Sequence, residues 1–76
     1  MVVDTKATGE NIKSLMDKNN LTVTDVRKAC CLATSQAVYK WIWGVNLPTL
    51  DNLIVLAKLF NCKMDDIVIR DVAQFG

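Results

Sequence analysis

The stretch LTVTDVRKACCLATSQAVYKWIWG, residues 21–44, decides the fold of this 76-residue chain. Its pattern predicts two short helices separated by a tight turn. Thr22 is placed as the N-cap of the first helix, and Asp25 follows at the spacing of a capping box. Thr34 is predicted to cap the second helix, which runs from Ser35 to about Trp43. Two helices joined by so few residues are the layout of a helix-turn-helix, whose second helix enters the DNA major groove.

Hydrophobic spacing outside this stretch predicts three further helices, at about residues 9–19, 50–60 and 64–69. Thr8 is predicted to cap the first of these. Residues 1–7 carry no periodic pattern and are predicted to be a loose arm, while 71–76 form a tail of uncertain structure. No strand is predicted, although the β-branched run at 67–69 also suits an extended segment. We therefore expect a single compact all-α domain of five helices, with the helix-turn-helix at about 22–43.

Composition and charge exclude several classes of protein. Nine Lys and Arg against eight Asp and Glu leave a net charge of +1, which neither demands nor excludes nucleic acid. No apolar run approaches the ~20 residues that a membrane span needs, and no signal segment opens the chain. We expect a cytoplasmic protein without a membrane partner.

The inventory of reactive side chains argues against an enzyme. There is no histidine, no glycine-rich phosphate loop and no Ser or Cys with a plausible base. The three cysteines include an adjacent pair and form neither a disulfide framework nor a metal-binding spacing. We expect no catalytic residue, no metal and no cofactor.

The second helix of the pair carries the side chains best suited to DNA. Gln36 can make paired hydrogen bonds to adenine, and Lys40, one turn later, can reach guanine or a phosphate. Thr22 and Thr34 cap helices whose free N–H groups suit a phosphate. Each residue also has an ordinary explanation, as an exposed helix position or as a cap alone.

The chain resembles the Cro/repressor-type helix-turn-helix family, also called XRE-type regulators. The resemblance rests on four elements in order: ENIKSLMDKNNLT, the pair LTVTDV…SQAVYKWIWG, then LPTLDNLIVLAKLFN, and MDDIVI. It implies a lambda-repressor-like five-helix domain that binds double-stranded operator DNA as a homodimer. Carried over by position, it implies base contacts from Ser35, Gln36 and Lys40; Tyr39 lies beside them and is expected to reach either a base or the sugar-phosphate. The resemblance implies backbone contacts from Thr34 and Asn46, to which the free N–H groups at the start of the first helix of the pair add Thr22 as a further expected contact.

Four positions depart from the family pattern. Val23 stands where a phosphate-gripping Gln is frequent, and Cys31 stands where the turn often has Gly, so the turn is expected to be built differently. Ile42 and Trp43 replace residues that are commonly charged. Lys63 replaces a Ser cap, so the last helix is expected to fray.

An apolar group after the second helix predicts a dimer or partner surface, formed by Ile42, Trp43, Val45 and Leu47. The alternative is that Trp43 folds over the following loop. The sequence thus predicts a sequence-specific transcriptional regulator of bacterial or phage origin, with repression as the commoner role. Because the chain has no room for an effector domain, any signal is expected through dimerisation or a separate regulatory protein. The alternatives are a protein-interaction module with little DNA affinity and a DNA-binding antitoxin.

Overall fold

The computed structural model describes residues 2–71. Five helices and two short strands follow one another as β1 (Val2–Val3), α1 (Thr5–Lys18), α2 (Val23–Ala29), α3 (Gln36–Ile42), α4 (Leu50–Leu59), α5 (Met64–Ile67) and β2 (Arg70–Asp71). The predicted all-α, five-helix architecture is confirmed. The two strands form an antiparallel pair of two residues each, which the sequence did not predict. No helix within 2–71 is long and apolar enough to cross a membrane.

The amino-terminal segment differs from the prediction. Helix α1 begins at Thr5, and its cap is Asp4, whose carboxylate accepts the N–H of Ala7 at 2.9 Å. Residues 2–7 are therefore not a loose arm, and Thr8 is not the cap. Thr8 instead lies within α1, on the face that packs against the rest of the protein, and is fully buried. The segment lacks a local pattern because β2, its partner, lies at the other end of the chain. The predicted tail begins in β2, and its residues 72–76 lie outside the described part of the chain.

Helices α1 to α4 all end in the same way, with one residue in the left-handed conformation. These residues are Asn20, Cys31, Gly44 and Asn61, with φ of 58°, 55°, 74° and 54°. After α2, the N–H of Cys31 donates to the carbonyl of Lys28 and that of Leu32 to Arg27, at 3.1 and 3.0 Å. This is the Schellman pattern, which normally favours glycine. The expectation that Cys31 changes the turn is wrong. The turn has the geometry that usually contains glycine, and Cys31 adopts the left-handed conformation at a cost in energy.

The beginning of α3 and the extent of α5 also differ from expectation. The N-cap of α3 is Ser35 rather than Thr34, and it forms no side-chain capping bond because its backbone is already helical, with φ −79° and ψ −8°. Helix α5 ends at Ile67, since the chain becomes extended at Val68.

Side-chain amides and carboxylates hold α5 at both ends. At its start, the carboxylate of Asp66 accepts the N–H of Lys63 at 3.0 Å. At its end, the amide of Asn11 donates to the carbonyls of Asp66 and Ile67 at 2.7 and 2.9 Å. These bonds satisfy the N–H of Lys63 and two carbonyls at the end of α5, but no side chain takes the acceptor role of a Ser cap.

All five helices contribute side chains to the core. Its buried apolar side chains are Ile12, Met16, Val26, Val38, Trp41, Leu56, Phe60 and Ile67. Helix α1 approaches the backbone of α3 closely at Gly9, where an added Cβ would lie 2.2 Å from the carbonyl oxygen of Trp41. This packing fixes the position of α3 and turns its opposite face outward.

Candidate nucleic-acid interface

The outward face of α3 is one continuous stripe. Its members recur at the i, i+3, i+4, i+7 spacing of a helix face and are all exposed: Gln36, Tyr39, Lys40 and Trp43. The opposite face buries Val38 and Trp41 in the core. The structure therefore presents Gln36 and Lys40 side by side, one helical turn apart.

An open groove of about 470 Å³ runs beside this face. It is lined by Thr34, Gln36, Ala37, Lys40, Trp41, Asn46, Leu47, Thr49 and Asn52. Four residues predicted to contact DNA thus share one concave surface, although they come from three segments: Thr34, Gln36, Lys40 and Asn46. Folding brings the loop after α3 against the start of α3 and makes a site from separate parts of the sequence.

Two polar residues of the groove were missed by sequence reasoning. Thr49 caps α4, and its hydroxyl accepts the N–H of Asn52 at 3.4 Å. Asn52 is half-buried and lines the groove together with Thr49. The available signal was a polar residue in the first turn of an otherwise apolar helix, directly after the loop that carries Asn46.

The groove carries little charge. Among its lining residues only Lys40 is charged, and the other polar ones are neutral hydroxyls and amides. Such a surface offers hydrogen-bond donors and acceptors and little net charge. Arg27 does not line the groove, and its guanidinium donates a hydrogen bond to the carbonyl of Leu32 at 3.2 Å.

Thr22 and Ser35 do not line the groove. The hydroxyl of Thr22 accepts the N–H of Asp25 at 3.2 Å, and the Asp25 carboxylate accepts the N–H of Thr22 at 2.9 Å. This capping box was predicted. The hydrogen bond from the Thr22 backbone, and to a lesser extent the one from its side chain, holds the pKa of the Asp25 carboxyl below its usual value. A negative charge therefore stands at the start of α2. Ser35 is half-buried, and Val23 packs on the core instead of offering a polar side chain.

The four residues predicted to form a partner surface have different surroundings. Ile42 packs against the core, and Leu47 lines the groove. Trp43 and Val45 are 65% and 63% exposed. The ring of Trp43 stacks on that of Tyr39, with centroids 5.4 Å apart and planes inclined by 26°. Only Trp43 and Val45 therefore offer large exposed apolar areas.

The cysteines do not form a further site. Cys30, Cys31 and Cys62 are all free thiols. Burial raises the pKa of Cys30 and of Cys62, which keeps both thiols protonated at neutral pH. Within residues 2–71, no three His, Cys, Asp or Glu side chains are grouped so that they could hold a metal ion.

Comparison with known proteins gives one family. The model of the Cro/C1-type HTH DNA-binding domain matches residues 11–72, which is most of the chain and includes α2, α3 and every residue lining the groove. No curated protein and no solved structure matches the chain significantly.

Proposed function

Because the chain belongs to the family of Cro/C1-type helix-turn-helix DNA-binding domains, we propose that it is a transcriptional regulator that inserts α3 into the major groove of an operator. One observation carries the proposal. Gln36 and Lys40 are exposed one turn apart and share a groove with Thr34 and Asn46. The groove thus joins two side chains able to read bases with two able to hold the sugar-phosphate backbone.

The base contacts follow from the chemistry of the two α3 side chains. The Gln36 amide offers a donor and an acceptor, which match N7 and the N6 amino group of adenine. Lys40 offers donors alone and matches O6 and N7 of guanine or a phosphate. Four residues of helix rise by ~6 Å, so the two side chains reach base pairs about two steps apart. Ser35 and Tyr39 complete the proposed base-contacting set.

The backbone contacts are assigned to neutral groups. Thr34 and Asn46 stand on the groove wall, and we add Thr49 and Asn52, whose side chains border the same space. Thr22 remains a predicted contact through its hydroxyl hydrogen, opposed by the charge of Asp25. With one lysine in the groove, few counterions are displaced, so the plot of log affinity against log salt should have a slope of about −1 to −2 per subunit.

Two copies are proposed to bind one operator. A single α3 reads only a few base pairs, and a second copy on a symmetric half-site about one helical turn away supplies the missing specificity. Occupation of a promoter by the pair gives repression, in the cytoplasm of a bacterium or of a phage-infected cell. A separate regulatory protein is proposed to control this dimerisation.

The test is selection of bound duplexes from a random library, repeated with three variants. The wild type should recover a two-fold symmetric motif. Gln36→Ala should lose ~10-fold or more in affinity and relax the preference for one adenine, since a good bidentate contact discriminates by ~1–3 kcal/mol. Lys40→Ala should weaken binding and flatten the salt slope. Lys58→Ala is the matched control, because this exposed lysine of α4 does not line the groove.

A failure of selection would favour a second candidate, a protein-interaction module. The near-neutral charge and the exposed Trp43 and Val45 support it. Association through apolar side chains would be nearly independent of salt, whereas DNA binding weakens as salt rises. An antitoxin would show both DNA binding and a tight protein partner.

A further inference from the structure

We propose that Tyr39 and Trp43 form an aromatic pair that reads the methyl group of thymine in the operator. The inference rests on the proposed function and extends it, because it assigns a base preference to the carboxyl-terminal half of α3. The sequence had placed Trp43 on a dimer or partner surface instead.

The position of Trp43 on the helix is the first support. Trp43 follows Gln36 by seven residues, which returns it to the same outward face as Gln36 and Lys40. Its N–H donates to the carbonyl of Tyr39 at 2.9 Å, so the helical geometry extends to this residue. The chain's other tryptophan, Trp41, is only 4% exposed and holds the opposite face on the core. A helix face that meets the bases at Gln36 therefore carries the Trp43 ring on the same side.

The direction of the indole ring is the second support. Side chains on a helix lean toward its amino terminus, and the stack of Trp43 on Tyr39 shows this lean, with ring centroids 5.4 Å apart. The ring thus lies back over the helical turn that begins at Tyr39. Seven residues of helix rise by about 10 Å, so the pair meets the DNA at most about three base pairs from the contact of Gln36.

The chemistry of the pair selects the ligand. Two uncharged rings, 40% and 65% exposed, present a mainly apolar surface on a face that is otherwise polar. In the major groove, the apolar feature on the base edges is the C5-methyl group of thymine. Uracil in place of thymine removes this methyl and leaves base pairing unchanged. An aromatic pair at this position should therefore distinguish the two bases.

The experiment uses the wild-type chain and the duplex that selection recovers. Each thymine of one half-site is replaced in turn by deoxyuridine, and affinity is measured by titration. We expect a loss of about fourfold or more at one or two thymines, about the worth of one buried methyl group. The Trp43→Ala variant should bind thymine and deoxyuridine duplexes equally. Leu50→Ala is the matched control, since Leu50 is as exposed as Trp43 but lies on α4 and does not line the groove.

The outcomes separate this inference from the proposed function. If Gln36→Ala abolishes specific binding while no deoxyuridine substitution has an effect, the inference is wrong and the proposed function stands. The inference is also overturned if Trp43→Ala keeps full thymine preference. A Trp43→Ala variant that loses dimerisation but retains that preference would show a protein interface instead. If no duplex is enriched at all, both proposals fail. Thermal melting of each variant confirms that the fold is intact.

Discussion

Gly9 sets how closely α1 packs on α3, and the variant Gly9→Ala tests this directly. Helix propensity alone favours the change, since alanine in a helix interior is better than glycine by about 1 kcal/mol. The tertiary structure opposes it. An added Cβ would lie 2.2 Å from the carbonyl oxygen of Trp41 and 2.6 Å from that of Ile42, both of them backbone atoms.

The magnitude follows from the contact distances. Relief of the overlap requires α1 and α3 to separate by about 1 Å, because backbone carbonyls cannot rotate away as a side chain can. A gap of this size forfeits a quarter to a half of each dispersion contact across the interface, where Ile12 and Trp41 are buried. Overpacking of this kind costs about 1–3 kcal/mol and occasionally more. We expect a net loss of about 2–3 kcal/mol, or a fall in Tm of about 10–20 °C for a domain of this size.

Thermal and urea denaturation followed by circular dichroism measure the effect. Ser14→Ala is the matched control, because this exposed residue of the same helix offers the propensity gain without the clash. It should raise stability by a few tenths of a kcal/mol. A Gly9→Ala protein with a Tm equal to or above that of the wild type would refute the packing argument. DNA affinity should fall in Gly9→Ala even at temperatures where the variant is folded, since α3 is displaced.

Three further predictions concern local features. Thr8→Val removes the acceptor that takes the N–H of Ile69 at 2.9 Å; it should cost about 1–2 kcal/mol and speed hydrogen exchange at that amide, which Thr8→Ser should not. Cys31→Gly should stabilise the domain by about 0.5–1 kcal/mol in urea denaturation by relieving the left-handed φ of 55°, while Cys31→Ala leaves stability nearly unchanged. Asp25 has a lowered pKa in the folded state, so its contribution is present above the usual carboxyl pKa and lost as the pH falls; the stability difference between wild type and Asp25→Ala should shrink from about pH 5 to about pH 2.

The sequence determined what depends on neighbours along the chain. The capping box of Thr22 and Asp25 arises from local hydrogen bonds, so it was predicted where the structure has it. The placement of Gln36 and Lys40 on one side of α3 likewise follows from their spacing along the helix, and the structure leaves both exposed. Family resemblance predicts that this outward face contacts DNA.

Only the tertiary structure decided what depends on contacts between distant segments. β1 pairs with a strand near the other end of the chain, and Thr8 is buried because Ile69 reaches it, so neither could be found from local pattern. The need for glycine at position 9 comes from the backbone of α3, and Asn52 joins the groove only because α4 packs beside it. Periodicity tells which side of a helix is buried, but the distance at which two helices pack is set by every side chain between them.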